Sequence, residues 1–121
     1  MMTASTAILH KWSMAEVADK FSDLAEKLSA LAGVNKSRMF GFESITVLRK
    51  TFALMDEGSM VVKLGTAERA EAMNLDDAAL WNPFGHEKKE WVRISYRHAG
   101  DWEKFAVAAM EYVKSKIEAA V

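Results

Sequence analysis

The chain of 121 residues contains no cysteine. That single absence excludes disulfides, thiolate nucleophiles and cysteine-based metal sites, and it fits a reducing compartment. No apolar run approaches the roughly 18 residues a membrane span needs. Met1 to Leu9 lack the basic start and long apolar stretch of a signal peptide, so the expectation is a cytoplasmic protein without a membrane partner. Net charge is almost lacking too, at −1 from 16 basic and 17 acidic side chains. A dedicated nucleic-acid binder shows a basic excess or a basic stripe, so here any stripe has to come from arrangement. Glycine is scattered at Gly41, Gly58, Gly65, Gly85 and Gly100, with no G-x-G-x-x-G or Walker loop to cradle a phosphate. Proline occurs once, at Pro83, and no linker, repeat or low-complexity stretch divides the chain.

What is present fits one domain over residues 1–121: half the residues are hydrophobic and 27% are charged, ordinary globular usage. Met14, Val17, Phe21, Leu24, Leu28 and Leu31 recur at intervals of three and four, which predicts a helix from Met14 to Ala32. Ser13 and Glu16 supply a capping box at its start, and Gly33 can take the left-handed conformation that stops it. From Arg38 to Leu64 the pattern shortens. Met39-Phe40 and Phe42 flank Gly41, and Ile45–Leu48, Phe52–Met55 and Met60–Leu64 follow as runs bounded by Arg49-Lys50 and Asp56-Glu57-Gly58-Ser59. Such runs read as strands, and short turns between them require an antiparallel meander. Gly58 suits a hairpin turn.

Thr66 can cap a short helix over 67–73, and a polar loop with Asn74, Asp76 and Asp77 follows. Asn82-Pro83-Phe84-Gly85 is a turn by composition, and Lys88–Ser95 reads as one more strand. Trp102, Phe105, Ala109, Val113 and Ile117 form a second helical stripe, starting near Asp101 and running to about Ala119. The expected order is α-β-β-β-β-α-β-α, an α+β fold with both terminal helices packed on one antiparallel sheet.

Chemistry-bearing residues are sparse. His10, His86 and His98 are isolated, whereas a metal site needs three or four convergent ligands. Ser95, His98 and Asp101 are spaced at threes, but no strained nucleophile elbow surrounds Ser95, and His98 with Asp101 is expected to cap the last helix. The carboxylate pairs Asp56-Glu57 and Asp76-Asp77 sit in predicted turns. No cofactor and no catalytic or metal-binding residue is expected, and the protein reads as a non-enzyme. The candidate binding surface is basic and aromatic. Lys89, Trp91 and Arg93 share one side of the last strand by alternation, and Arg38, Lys50 and Lys63 lie at or near other strands. Together they could form the charged, stacking surface of a single-stranded nucleic-acid binder. Ordinary solvated polar residues on a half-covered sheet are the favoured reading, because Glu43, Glu87 and Glu90 are interspersed. Part of the first helix, or of the sheet face, could instead pair with a second copy of the chain or with another protein, so a homodimeric interaction module is expected.

The succession Met39-Phe40-Gly41, Phe52-Ala53, Val62-Lys63-Leu64, Glu68-Arg69, Pro83-Phe84, Lys89-Glu90-Trp91-Val92 and Trp102 resembles the N-terminal domain of the TfoX (Sxy) competence regulators, and more loosely the YjbR/MmcQ-like proteins. The resemblance spans roughly Ala15 to Lys116. It implies a secretion-chaperone-like α+β fold, and a regulatory role in competence for the full-length relatives, which carry a second, C-terminal domain with no counterpart in the chain up to Val121. It implies no catalytic residue.

Overall fold

A computed structural model describes residues 13–85 and 88–120, and of Phe84 only the backbone. The leader reading of Met1–Leu9, together with His10, His86 and Glu87, lies outside the described residues. Among the described residues there are three helices and six strands: α1 (Met14–Leu28), β1 (Val34–Met39), β2 (Phe42–Val47), β3 (Lys50–Asp56), β4 (Ser59–Lys63), α2 (Thr66–Met73), β5 (Ala79–Trp81), β6 (Lys88–Ser95) and α3 (Trp102–Ala119). Short 3₁₀ turns at Pro83–Gly85 and Tyr96–Asp101 flank β6. The strands form one antiparallel sheet in the order β1-β2-β3-β4-β6-β5. The α+β class and the terminal helices are as the sequence predicts, and β5 is an addition at the sheet edge.

Helix α1 starts where the capping box requires: Ser13 Oγ accepts from the Glu16 N–H and Glu16 Oε1 accepts from the Ser13 N–H. It ends four residues earlier than the periodicity predicts, at Leu28, with Ser29 as C-cap. Leu31 and Met14, the two ends of the predicted stripe, are exposed, while Val17, Phe21, Leu24 and Leu28 are buried. Gly33 belongs to the turn into β1. Its φ of +79° and the Leu48 Cδ2 only 3.0 Å from where a Cβ would stand admit no other residue without strain. Helix α2 is capped by Gly65 rather than by Thr66, whose hydroxyl instead accepts from Arg69.

Two-residue hairpins join the first four strands. Phe40-Gly41 and Leu48-Arg49 both carry positive φ at each position (52° and 85°; 50° and 72°), the type I′ geometry that matches strand twist. In the third hairpin the left-handed residue is Glu57 (φ 54°), not Gly58.

The sheet carries apolar residues on both faces. The helix face buries Ile45, Phe52, Ala53, Met60, Val62, Val92 and Ile94 against Phe21, Leu24, Trp102, Phe105 and Ala109. Phe52 reaches that face through an irregularity in the β2–β3 ladder between Ile45 and Thr46. The opposite face holds a second cluster in which Leu54, Val61 and Trp81 are buried, with Met39, Phe42 and Trp91 packed against them. The Trp81 and Phe42 rings lie 5.7 Å apart, edge to face, although β5 and β2 have three strands between them. In a flat sheet four strand spacings would separate their backbones by roughly 19 Å, so the sheet curls toward this face. The aromatic rings then cover Leu54 and Val61 where, among the described residues, no helix does. Trp81 Nε1 also donates to Asp56 Oδ2 at 2.9 Å, tying the edge strand to β3.

Candidate functional site: a cationic cleft beside the C-terminal helix

The last turns of α3 run past the β2–β3 hairpin, and between them opens a cleft of about 510 Å³. Met39, Trp91, Val113, Ile117 and Ala120 make its apolar lining, and Thr51 with the cations Arg49, Lys50, Lys63 and Lys116 completes it. Each group has a local reason to be there. Arg49 and Lys50 occupy the hairpin and the first position of β3. Lys63 ends β4 directly opposite Trp91 in the β4–β6 register. Val113, Lys116 and Ile117 are successive positions on one side of a helix, spaced three and four. Met39 stands at the far end of the β1–β2 ladder from Arg49, and the curl that carries Phe42 to Trp81 carries it to the cleft.

One carboxylate pairs with two of the four cations. Glu90 lies 3.6 Å from Lys63 Nζ and 3.4 Å from Lys116 Nζ, and Tyr112 Oη donates to Glu90 Oε2 at 2.5 Å. The tyrosine hydrogen bond, followed by the charges of Lys116 and Lys63, holds the Glu90 carboxyl below its ordinary 4.5 against the opposing effect of burial. The same hydrogen bond and partial burial push the Tyr112 phenol above its ordinary 10.0, and Lys116 is raised by its contacts with Tyr112 and Glu90. Glu90 therefore stays ionised and Tyr112 protonated across the neutral range. The pair stabilises the folded chain between those limits: the Glu90 contribution is lost as pH falls below 4.5, the Tyr112 contribution as pH rises above 10. Arg49 and Lys50 have no ion-pair or hydrogen-bond partner among the described residues.

Gly65 supports this arrangement from behind. A Cβ there would stand 2.9 Å from Tyr112 Cδ1 and 3.0 Å from Cε1, closer than carbon atoms pack. Gly65→Ala is expected to displace the Tyr112 ring and break its bond to Glu90. The measurable result is an NMR-titrated Glu90 pKa that moves back up toward 4.5, whereas an unchanged titration would show that Tyr112 is not what lowers it.

Of the six residues singled out in the sequence, Lys50, Lys63 and Trp91 come together in this cleft. The other three do not. Arg38 alternates to the opposite face of β1 from Met39 and pairs in register with Glu43. Lys89 is exposed, and its carbonyl accepts from Arg69. Arg93 shares the Trp91 face, but its Nη2 donates to Ser59 and its Nε is buried without a partner. Sequence reasoning missed Arg49, Lys116, Met39 and Ile117. Only the helix spacing of Val113, Lys116 and Ile117 hinted that a cation shares a side with apolar residues.

Of the Ser95, His98 and Asp101 trio, the first two side chains are bonded to backbone groups rather than to each other. Ser95 Oγ accepts from the Arg97 N–H, and His98 Nε2 donates to the Asp76 carbonyl oxygen at 2.8 Å. Asp101 occupies the N-cap position of α3 as expected but makes no side-chain capping bond, and His98 takes no part in the cap. Among the described residues no three His, Asp or Glu side chains are grouped to hold a metal ion, and no helix is long and apolar enough to cross a membrane. A second, smaller cavity of about 200 Å³, lined by Lys20, Asp23, Leu24, Lys27 and Glu103, has its Lys27 already paired with Glu103. Comparison with known proteins finds no matching family model, no similar curated protein and no similar solved structure.

Proposed function

We propose that the protein is a non-enzymatic binding module whose ligand occupies the cleft between α3 and the β2–β3 hairpin. The observation that carries this reading is the composition of the cleft: four cations, two of them paired with one carboxylate, above an apolar floor that leaves Trp91 half-exposed. Small-molecule sites combine a mostly apolar concavity of roughly 300–1,000 Å³ with a few converging polar groups. The cationic groups here are suited to binding and orienting an anion. A regulatory role in the manner of the TfoX-like proteins belongs to the same proposal and rests on the order of sequence motifs alone; a homodimer rests on the first-helix or sheet face pairing with a second copy, and light scattering giving a dimer mass would support it.

A thermal-shift screen of small anionic and neutral compounds tests the reading. A ligand at about 100 times its Kd adds roughly 2.7 kcal/mol, a shift of several degrees for a domain this size. Ile117→Trp, which fills the cleft from its helical wall, is expected to abolish the shift. A screen without any stabilising compound, or hits indifferent to Ile117→Trp, would overturn the assignment.

Nucleic acid is the second reading, and the convergence of Lys50, Lys63 and Trp91 favours it. Against it stand the net charge of −1, the pairing of Glu90 with two of the cleft's cations, and Arg38 on the other face. It predicts binding of short single-stranded DNA that weakens steeply with salt and is lost in Lys50→Ala/Lys63→Ala. Binding that is absent at low salt would eliminate it.

A further inference from the structure

We propose that the cleft selects a small aromatic anion, with Arg49 and Lys50 holding its charge and Trp91, Met39 and Ile117 covering its flat body. The inference rests on the cleft-binding reading above and adds the ligand's chemical class and its orientation.

The four cations are not equivalent. Lys63 and Lys116 already share Glu90, whose Oε2 also accepts from Tyr112 Oη. An anion placed between them would compete with a built-in one. Arg49 and Lys50 have no such partner. They stand next to each other in the chain, on a hairpin whose Leu48 and Arg49 both hold left-handed φ. The anionic end of a ligand therefore belongs at the hairpin, where each contact is a charge-assisted hydrogen bond with no internal competitor.

The remainder of the lining specifies the body. Trp91 already stacks obliquely on Trp81 (centroids 5.7 Å apart, 57° between planes) while staying half-exposed. The ring is thus held by one neighbour and still offers surface to another aromatic ring, an arrangement that favours offset or tilted partners. Met39 adapts its shape to such a ring, and Ile117 closes the helical wall. Glu90 sets specificity, because its negative charge lies on the Lys63–Lys116 side and disfavours a second anionic group there. A ligand with one charged end is preferred over one charged at both.

Two fluorescent probes with the same aromatic body separate the claims: 8-anilinonaphthalene-1-sulfonate, which is anionic, and N-phenyl-1-naphthylamine, which is neutral. The full chain is expected to bind about one equivalent of the sulfonate at least about tenfold more tightly than the neutral amine, the effect of one good charged contact. Arg49→Ala/Lys50→Ala is expected to remove that difference while leaving the neutral probe's affinity unchanged, and Arg49→Lys/Lys50→Arg to restore it. Glu90→Gln is expected to tighten the sulfonate severalfold. Equal affinities for the two probes, or a sulfonate affinity untouched by the double alanine variant, would overturn this inference and leave cleft binding standing. If neither probe binds, the aromatic-anion inference fails, while the cleft-binding reading stands or falls with the thermal-shift screen and its Ile117→Trp control.

Discussion

Trp102→Ala is expected to cost about 3–5 kcal/mol of stability, as large aromatic-to-alanine changes in a core do. Trp102 opens α3 and is fully buried. Its indole packs edge to face on Tyr96, with centroids 5.7 Å apart. Its Nε1 donates to two carbonyls, of Ile94 at 3.1 Å and Ser95 at 3.2 Å. The side chain thus joins the end of β6 to the start of α3, across the 3₁₀ turn that separates them. Alanine would leave a cavity and remove the donor shared by the Ile94 and Ser95 carbonyls. A small domain has about 5–15 kcal/mol in all, so urea unfolding should show a midpoint lowered by about a fifth or more. Trp102→Phe keeps most of the volume and loses only the donor, and should cost about 1–3 kcal/mol. If the two variants were equally stable, the cavity argument would be wrong.

The second large effect is expected on the other face of the sheet. Trp81→Ala removes the ring that covers Leu54 and Val61 and should also cost about 3–5 kcal/mol. Here the cause is different, because among the described residues this cluster is covered by aromatic rings rather than by a helix. Trp81→Phe keeps the contact with Phe42 and loses the bond to Asp56, at a cost of about 1 kcal/mol. Hydrogen exchange distinguishes the faces. Trp81→Ala should release β5 and the β1–β2 hairpin before the helix-packed strands, whereas uniform loss of protection would mean that the two clusters are one cooperative unit.

The helices were legible because burial on one side of a helix writes itself into the chain at intervals of three and four. The end of α1 was not: Leu31 continues the interval, yet the chain has already turned at Ser29, and only an exposed position shows it. Strand β5 escaped because Ala79-Leu80-Trp81 is too short to display alternation. The Leu48-Arg49 hairpin carries none of the Asn or Gly that normally marks positive φ. The cleft was half legible. Lys50, Lys63 and Trp91 stood out as basic and aromatic strand residues, but alternation within one strand cannot say which strands meet. Arg38 shows the limit: one position before Met39, it faces the other way. Arg49 looked like a spacer, and Lys116 looked like the solvated side of a helix, until the register of β3 and β4 put the end of α3 beside both.

Chemical-shift mapping with 8-anilinonaphthalene-1-sulfonate tests the central claim most directly. The account predicts that backbone amides of Arg49, Lys50, Thr51, Lys63, Trp91 and Ile117 move together on one saturating curve while the rest of the sheet stays still. Shifts gathered instead around Lys20, Lys27 and Glu103, or spread over the exposed Met14 and Leu31 surface, would contradict it.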